Sequence, residues 1–240
     1  DMWIETELAQ GARPGQFVCV YTKNAAALLP RPISICEVNE EKTMLRLVYR
    51  TVGTGTNEFA AYHAGTEISL LGPLGNGFPV EKAAGKRVFL IGGGIGIPPM
   101  LQLSKEIKKA GQAYCELSVL GYRNELFLNT DLEKYSQVYV ATEDGSAGTK
   151  GTVLDAIKEK GLSGDVIFAC GPMPMLRAIK EYAAANNMEA YISLEEHMAC
   201  GVGACLGCVC KTKNVDAHSH AHNSRICTDG PVYNAEEVEI

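Results

Sequence analysis

Long apolar runs are missing from this 240-residue chain: no stretch approaches the roughly 20 apolar residues that a membrane-spanning helix needs. An excess of basic charge is missing too. Twenty-two Lys and Arg stand against 28 Asp and Glu, and the net charge of −6 argues against nucleic acid and anionic membranes as partners. No segment repeats, and nothing at the start reads as a signal peptide. Low complexity is confined to Asp216-Ala217-His218-Ser219-His220-Ala221-His222. Its alternate histidines, His218, His220 and His222, read as a solvated loop, with weak metal binding as the other option. What remains is a globular composition, 46% hydrophobic and 21% charged, long enough for two ordinary domains and a small appendage.

Cysteine is plentiful. Nine thiols in a chain without a secretory signal fit a reducing compartment, so the expected localisation is cytoplasmic. The chain opens on Met2-Trp3-Ile4-Glu5, which reads as mid-strand, so residues upstream of Asp1 are expected in the natural protein. Cys200, Cys205 and Cys208 follow Cys-x4-Cys-x2-Cys, and Cys227 stands before Asp229-Gly230-Pro231. This is the plant-type spacing for a [2Fe–2S] cluster. Gly201, Gly203 and Gly207 suit it, because a loop wrapped round two irons needs positive φ and close amides. A four-thiolate zinc site is the competing reading, but zinc knuckles usually pair their cysteines in two separate turns. For the fourth iron ligand Cys227 is chosen over Cys210, which lies two residues after Cys208 and too near to reach the second iron.

The fold class expected is β followed by α/β. Phe17–Tyr21, Ile33–Val38, Met44–Tyr49 and Glu67–Leu71 read as short strands of a small antiparallel barrel, with no long helix among them. From Arg87 onward strands alternate with helices: Val88–Ile91, Pro98–Lys109, Leu117–Leu120, Val138–Ala141, Val153–Lys160, Val166–Ala169, Met175–Ala185 and Tyr191–Leu194. That alternation predicts a doubly wound parallel sheet. The expected domains are 1–82, a β-barrel; 83–192, a nucleotide-binding α/β domain; and 193–240, a cysteine-loop subdomain.

Two strand ends carry nucleotide signals. Arg87-Val88-Phe89-Leu90-Ile91 runs into Gly92-Gly93-Gly94-Ile95-Gly96-Ile97-Pro98-Pro99, a strand, a glycine turn and a helix start suited to a pyrophosphate. Val166–Ala169 runs into Cys170-Gly171-Pro172-Met173-Pro174-Met175 in the same way. Ligands of open α/β sheets sit at the carboxyl ends of strands, so both turns belong at one edge. Cys170 is placed near a nicotinamide ring and not as a nucleophile, since no base lies near it in sequence. Arg123, after another strand, is either a phosphate contact or an ordinary solvated arginine. In the barrel, Arg31-Pro32-Ile33-Ser34 offers a guanidinium for a pyrophosphate and a hydroxyl for a flavin nitrogen. Gly53-Thr54-Gly55-Thr56 is a second glycine-rich loop, and Tyr49 either stacks on a cofactor or packs in the core.

In this order the Arg-Pro-x-Ser barrel, the Gly-Gly-Gly-x-Gly-x-Pro-Pro turn and the Cys-Gly-Pro-x-Pro-Met strand end resemble the ferredoxin–NADP reductase superfamily over roughly residues 13–190. The block Glu195-Glu196-His197-Met198-Ala199-Cys200-Gly201-Val202-Gly203-Ala204-Cys205-Leu206-Gly207-Cys208, with Cys227-Thr228-Asp229-Gly230-Pro231-Val232-Tyr233, resembles the electron-transfer subunits of B-type dihydroorotate dehydrogenases. The resemblance implies FAD, NAD(H) as substrate and a terminal [2Fe–2S] cluster. It implies FAD contacts at Arg31, Pro32, Ile33, Ser34, Val48, Tyr49 and Arg50, with Gly55 and Thr56 at its phosphates. The NAD(H) contacts expected are Gly92, Gly93, Gly94, Gly96, Cys170, Gly171, Pro172 and Met173, and the cluster ligands are Cys200, Cys205, Cys208 and Cys227. The implied partner is an FMN-containing subunit that binds dihydroorotate, in a heterotetramer of two copies of each, serving pyrimidine biosynthesis.

A hydride donor delivers two electrons together and an iron–sulfur cluster accepts one, so a flavin must stand between them. The chain's own task is then positioning and tuning, with no acid–base residue. Two other readings make different demands. The small subunit of an NAD(P)H:ferredoxin oxidoreductase keeps the chemistry and changes the partner. A zinc-containing nucleotide-binding sensor or scaffold has no redox chemistry at all.

Overall fold

The computed structural model describes residues 1–216 and 220–240, so His218 of the histidine tract lies outside the described residues. Two sheets share one packed interior. The first holds β1 (Met2–Glu5), β2 (Phe17–Val20), β3 (Arg31–Val38), β4 (Met44–Leu47) and β5 (Leu70–Leu74), all antiparallel in the order β1-β4-β3-β2-β5. Alternate side chains close its core: Val18, Val20, Ile33, Ile35, Leu45 and Leu47. Cys36 faces the second sheet by the same alternation, and a register shift in β3 between Ile35 and Glu37 then returns Val38 to the barrel.

The four strands expected there are present, with two differences. The fourth is shifted, beginning at Leu70 and running on through Pro73 to Leu74, which an edge strand tolerates. The Gly53–Thr56 segment also differs: it is the start of helix α1 (Thr54–Ala60) and not a loop. Thr56 Oγ1 accepts from the amides of Val52 at 2.9 Å and Gly53 at 3.2 Å, which closes the helix start, and Phe59 is buried in the barrel core.

The second sheet is doubly wound. Helix α2 (Pro98–Ala110) follows β6 (Arg87–Gly93); β7 (Cys115–Tyr122), the short α3 (Asn129–Leu132), β8 (Gln137–Thr142) and β9 (Thr149–Lys150) come next. They lead to α4 (Val153–Glu159), β10 (Val166–Cys170), α5 (Met173–Ala185) and β11 (Glu189–Ser193). In the cysteine segment β12 (Val209–Lys211) and β13 (Asn223–Arg225) form a hairpin, and β14 (Val232–Asn234) returns to the large sheet. The strand order is β14-β11-β10-β6-β7-β8-β9, parallel except for β14, which pairs antiparallel with β11.

Every side chain of β6 after Arg87 is buried, because helices cover both faces. Val88 and Leu90 face α2, and Phe89 and Ile91 face α4 and α5. The cysteine segment is not an outlying module. Cys208 and Cys227 share a core with Phe17 and Cys19 of the first sheet and with Ile192 of β11.

Candidate electron-transfer site

At the carboxyl edge β6 and β10 lie side by side, with Gly92 opposite Cys170. A side chain on Gly96 would overlap the Cys170 carbonyl, and one on Gly92 would stand 2.9 Å from Ile97. A Cβ on Gly93 would lie 2.6 Å from Met175 Sδ, while Gly171, at φ +157°, backs onto the Gly93 Cα. These four glycines let the two turns pack against each other. Gly94, at φ +51°, is different: the nearest atom to its Cβ position is an Arg50 guanidinium nitrogen at 4.0 Å. It is the one glycine of the expected nucleotide set whose missing side chain opens outward. Helix α2 begins with prolines in its first turn, and Pro172 caps α5, so both helix starts face this edge. Pro172 is exposed and Met173 half-buried beside the turn.

The Cys170 thiol is buried and its pKa is pushed up to about 12, first by burial and then by the Glu195 carboxylate. A thiol held neutral is a poor nucleophile. Arg123 is exposed, and its nearest acid is Glu143 at 3.9 Å.

The barrel supplies the other wall. A cavity of about 520 Å3 is lined by Leu28, Arg31, Pro32, Glu196, His197 and Met198, so the flavin motif and the approach to the first cluster cysteine face one space. The Arg31 guanidinium lies over Gly55 at the start of α1 and donates to the Leu29 carbonyl. A cation beside a helix start is suited to a pyrophosphate. Ile33 points into the barrel core, and Ser34 is half-buried on the same strand. Val48 packs toward the α2 side. Tyr49 stands edge-on to Phe59 at 6.0 Å and lines a separate cavity of about 440 Å3 with Trp3 and Tyr62. Arg31 and Pro32 thus line the cavity beside the cluster segment and Arg50 reaches toward Gly94, while Tyr49 lines the separate cavity. The Thr56 hydroxyl is occupied in capping α1, which leaves the first-turn amides as the free donors there.

The four cysteines stand in two pairs: Cys200 and Cys205 are in hydrogen-bonding reach of each other, as are Cys208 and Cys227. Among the described residues no three His, Cys, Asp or Glu side chains gather about a single ion position. Two thiol pairs fit two irons, whereas structural zinc needs all four ligands about one point. Backbone amides already aim at the sulfurs. Gly203 donates to Cys227 Sγ at 3.2 Å, Cys205 to Cys200 Sγ at 3.4 Å and Gly207 to Cys205 Sγ at 3.4 Å. The Val202 amide, and then that of Cys205, draws the Cys200 thiol down to about 6, which favours its thiolate. Cys227 is pushed up to about 12 by burial and by Cys208, the expected state of a crowded, protonated pair. Cys210 turns away, packing on the apolar core beside Tyr233.

Several contributors were invisible in one dimension. Arg225 holds Asp229 through both guanidinium edges, at 2.9 and 3.0 Å, and closes the turn that presents Cys227. Asn76, from the connection after β5, donates to the carbonyls of Thr228 and Asp229 and ties that turn to the barrel side. Cys19 of β2 lies beneath Gly201, and Glu195 stands two residues past Ser193, the partner of Cys170 on the neighbouring strand. The Asp229 carboxylate next to an arginine was the one readable signal. The others are contacts between residues more than 20 positions apart.

A flavin-and-nucleotide reductase of the ferredoxin–NADP reductase-like fold, with an iron–sulfur loop set against its barrel, is the class that this arrangement defines. Residues 90–181 match the oxidoreductase NAD-binding domain, and residues 195–239 match the iron–sulfur cluster binding domain of dihydroorotate dehydrogenase B. The dihydroorotate dehydrogenase B (NAD(+)) electron transfer subunit of Geobacillus sp. (strain WCH70) is 44% identical, over 95% of this chain and 87% of that one. Its counterpart from Shouchella clausii (strain KSM-K16) is 43% identical over 100% of this chain and 92% of the relative. The structure of the NADH-dependent reduced ferredoxin-NADP oxidoreductase, described for flavin-based electron bifurcation, superposes with a TM-score of 0.86 at 30% identity, covering 99% of this chain and 83% of that one. The chain belongs to the family of dihydroorotate dehydrogenase B electron transfer subunits. No helix among the described residues is long and apolar enough to cross a membrane.

Proposed function

We propose that the chain passes electrons from a dihydroorotate-oxidising partner to NAD+, by way of a [2Fe–2S] cluster and FAD, in the cytoplasmic synthesis of pyrimidines. The partner in this reading carries FMN and assembles with this chain as two copies of each. When bound, FAD exchanges a hydride with NAD(H) and single electrons with the cluster. The chain's residues supply position. Cys200, Cys205, Cys208 and Cys227 hold the irons, and the amides of Gly203, Cys205 and Gly207 hydrogen-bond the sulfurs and so bear on the potential. Arg31 and the first turn of α1 hold the FAD pyrophosphate, while Pro32 and the cavity beside it seat the ring. Gly94 and the starts of α2 and α5 receive NAD(H), and the neutral Cys170 thiol keeps the nicotinamide side free of a competing nucleophile.

The observation that supports this reading most is the single cavity shared by Arg31-Pro32 and Glu196–Met198, which joins the flavin motif to the cluster loop. The second reading, the small subunit of an NAD(P)H:ferredoxin oxidoreductase, draws support from the 30% identical structure. The 44% identity to dihydroorotate dehydrogenase B subunits favours the first. The test is an anaerobic titration of the purified, cofactor-loaded chain with NADH, followed by co-purification. Bleaching of flavin and iron–sulfur absorbance, together with an FMN protein that confers dihydroorotate oxidation, is expected. A chain that oxidises dihydroorotate alone, or co-purifies with a multi-cluster flavoprotein, would overturn it.

A further inference from the structure

The two nucleotide sites sit on different sheets, so something must fix how the sheets face each other. Helix α2, whose start bears the glycine turn, lies directly against β3, whose start bears Arg31-Pro32-Ile33-Ser34. Their contact is anchored at one peptide. The Val38 amide donates to Gln102 Oε1 at 2.7 Å, and Lys105 Nζ donates to the Val38 carbonyl at 2.9 Å. Both side chains are buried, at 3% and 7% exposure. Burying a lysine is costly unless its charge is met, and here Glu40 lies 2.7 Å and Glu37 3.6 Å away. Gln102 is itself held, donating through Nε2 to Glu106 at 3.0 Å. A second tie lies alongside, with Arg46 of β4 joining Glu37 at 3.3 Å and Asp131 of α3 at 3.2 Å. Val38 stands at an end of its strand, so its amide and carbonyl are spare ladder groups that the helix side chains occupy.

We propose that Gln102 and Lys105 are positioning residues for hydride transfer: their grip on the Val38 peptide sets the angle between α2 and β3, and so the spacing of nicotinamide and flavin. The inference rests on the functional reading above. Lys105 is seven residues from Pro98, a lever of about 10 Å along the helix, so a tilt of roughly 6° at the clamp moves the glycine turn by about 1 Å. A displacement of about that size costs up to roughly a hundredfold in a reaction that needs near-contact geometry. The apolar part of the interface lacks direction: Cys36 against Met100 and Leu103 permits sliding that two hydrogen bonds to one peptide do not.

The experiment uses the full chain loaded with FAD and cluster, as wild type, Gln102→Leu, Lys105→Met and Lys105→Arg. Anaerobic stopped-flow gives the limiting rate of flavin reduction by NADH, the NADH concentration for half-saturation and the nicotinamide–flavin charge-transfer absorbance. Hydrogen exchange at the Val38 amide reports the clamp without reference to turnover. For Gln102→Leu and Lys105→Met the limiting rate is expected to fall about tenfold or more, with the charge-transfer band weakened and half-saturation changed by less than about threefold. Lys105→Arg should restore most of the rate, and Val38 exchange should quicken in Gln102→Leu. Limiting rates within about twofold of wild type in both variants would overturn the clamp, as would losses confined to half-saturation. Wild-type chain that NADH does not reduce would overturn the functional reading, and the clamp's role with it.

Discussion

Gly201 tests the cluster loop most directly. Its φ is +70°, and a Cβ there would lie 3.1 Å from both Cys19 Sγ and Leu74 Cδ1. Gly201→Ala therefore meets two separate penalties. The left-handed backbone costs an alanine about 1–2 kcal/mol, and the crowding adds about 1 kcal/mol. Together, about 2–3 kcal/mol shifts the balance between closed and open loop by roughly 30- to 150-fold. If iron leaves through the open loop, its release to a chelator should quicken by that factor. The assay is the decay of cluster absorbance in excess chelator. Adding Cys19→Ala removes one of the two crowding atoms and leaves both Leu74 and the φ in place. Within the double-mutant cycle a recovery of about 0.5 kcal/mol, or roughly twofold in rate, is then expected. Release of iron from Gly201→Ala at the wild-type rate would refute the reasoning entirely. A cycle with no coupling would refute the crowding and leave the backbone penalty.

Cys227→Ser should abolish or cripple the cluster, whereas Cys210→Ser should retain iron and sulfide at wild-type content, because Cys210 packs beside Tyr233; paired iron analyses check this. Arg31→Met should weaken FAD binding about tenfold or more, read by flavin fluorescence on dilution, since a charged hydrogen-bond donor at the α1 start is lost. Burial raises Glu116 from 4.5 to about 7, so the folded chain retains a proton that the unfolded chain releases, and stability should fall as pH rises between those values. Glu116→Gln should match wild type below that window and exceed it above pH 7. The ceiling is about 3 kcal/mol at 1.36 kcal/mol per pH unit; parallel urea-unfolding curves across pH would contradict it.

The strands and helices of the second sheet were legible because buried parallel strands and amphipathic helices write their periods plainly. Val88–Ile91 and Val166–Ala169 were each found within one or two residues of the ends of β6 and β10. Helix α1 was hidden by Gly53 and Gly55, which read as breakers, and by a length of seven residues, too short to show a period. β14 was unreadable as part of the sheet, since its partner β11 lies some 40 residues earlier. In the candidate site, spacing alone separated Cys227 from Cys210; in the fold Cys227 lies in reach of Cys208, and Cys210 packs beside Tyr233. The glycine turn was a harder case. Gly92, Gly93 and Gly96 are small because Ile97, Met175 and Cys170 press on them, a packing demand indistinguishable in sequence from a phosphate demand. Tyr49 was left between two roles by the sequence, and in the fold its ring stands edge-on to Phe59.

The closeness of flavin motif and cluster loop follows from β-pairing and not from docking of finished domains. β2 pairs with β3 so that Cys19 stands opposite Pro32, and Cys19 Sγ is also what a Cβ on Gly201 would strike. Adjacent strands lie about 4.8 Å apart, so a strand that touches the cluster loop on one side sits one strand from the flavin motif on the other. Leu71 and Leu74 of β5, the other neighbour of β2, flank the same glycine. The loop is thus seated on two adjacent barrel strands, β2 and β5, whose positions are set by ladder hydrogen bonds. Asn76 then fastens the far turn, which bears Cys227, to the segment leaving β5. The cluster loop and the flavin motif thus share β2 as a common seat. The nicotinamide side depends on how the two sheets are angled, and that is the interface where the buried Gln102 and Lys105 are found.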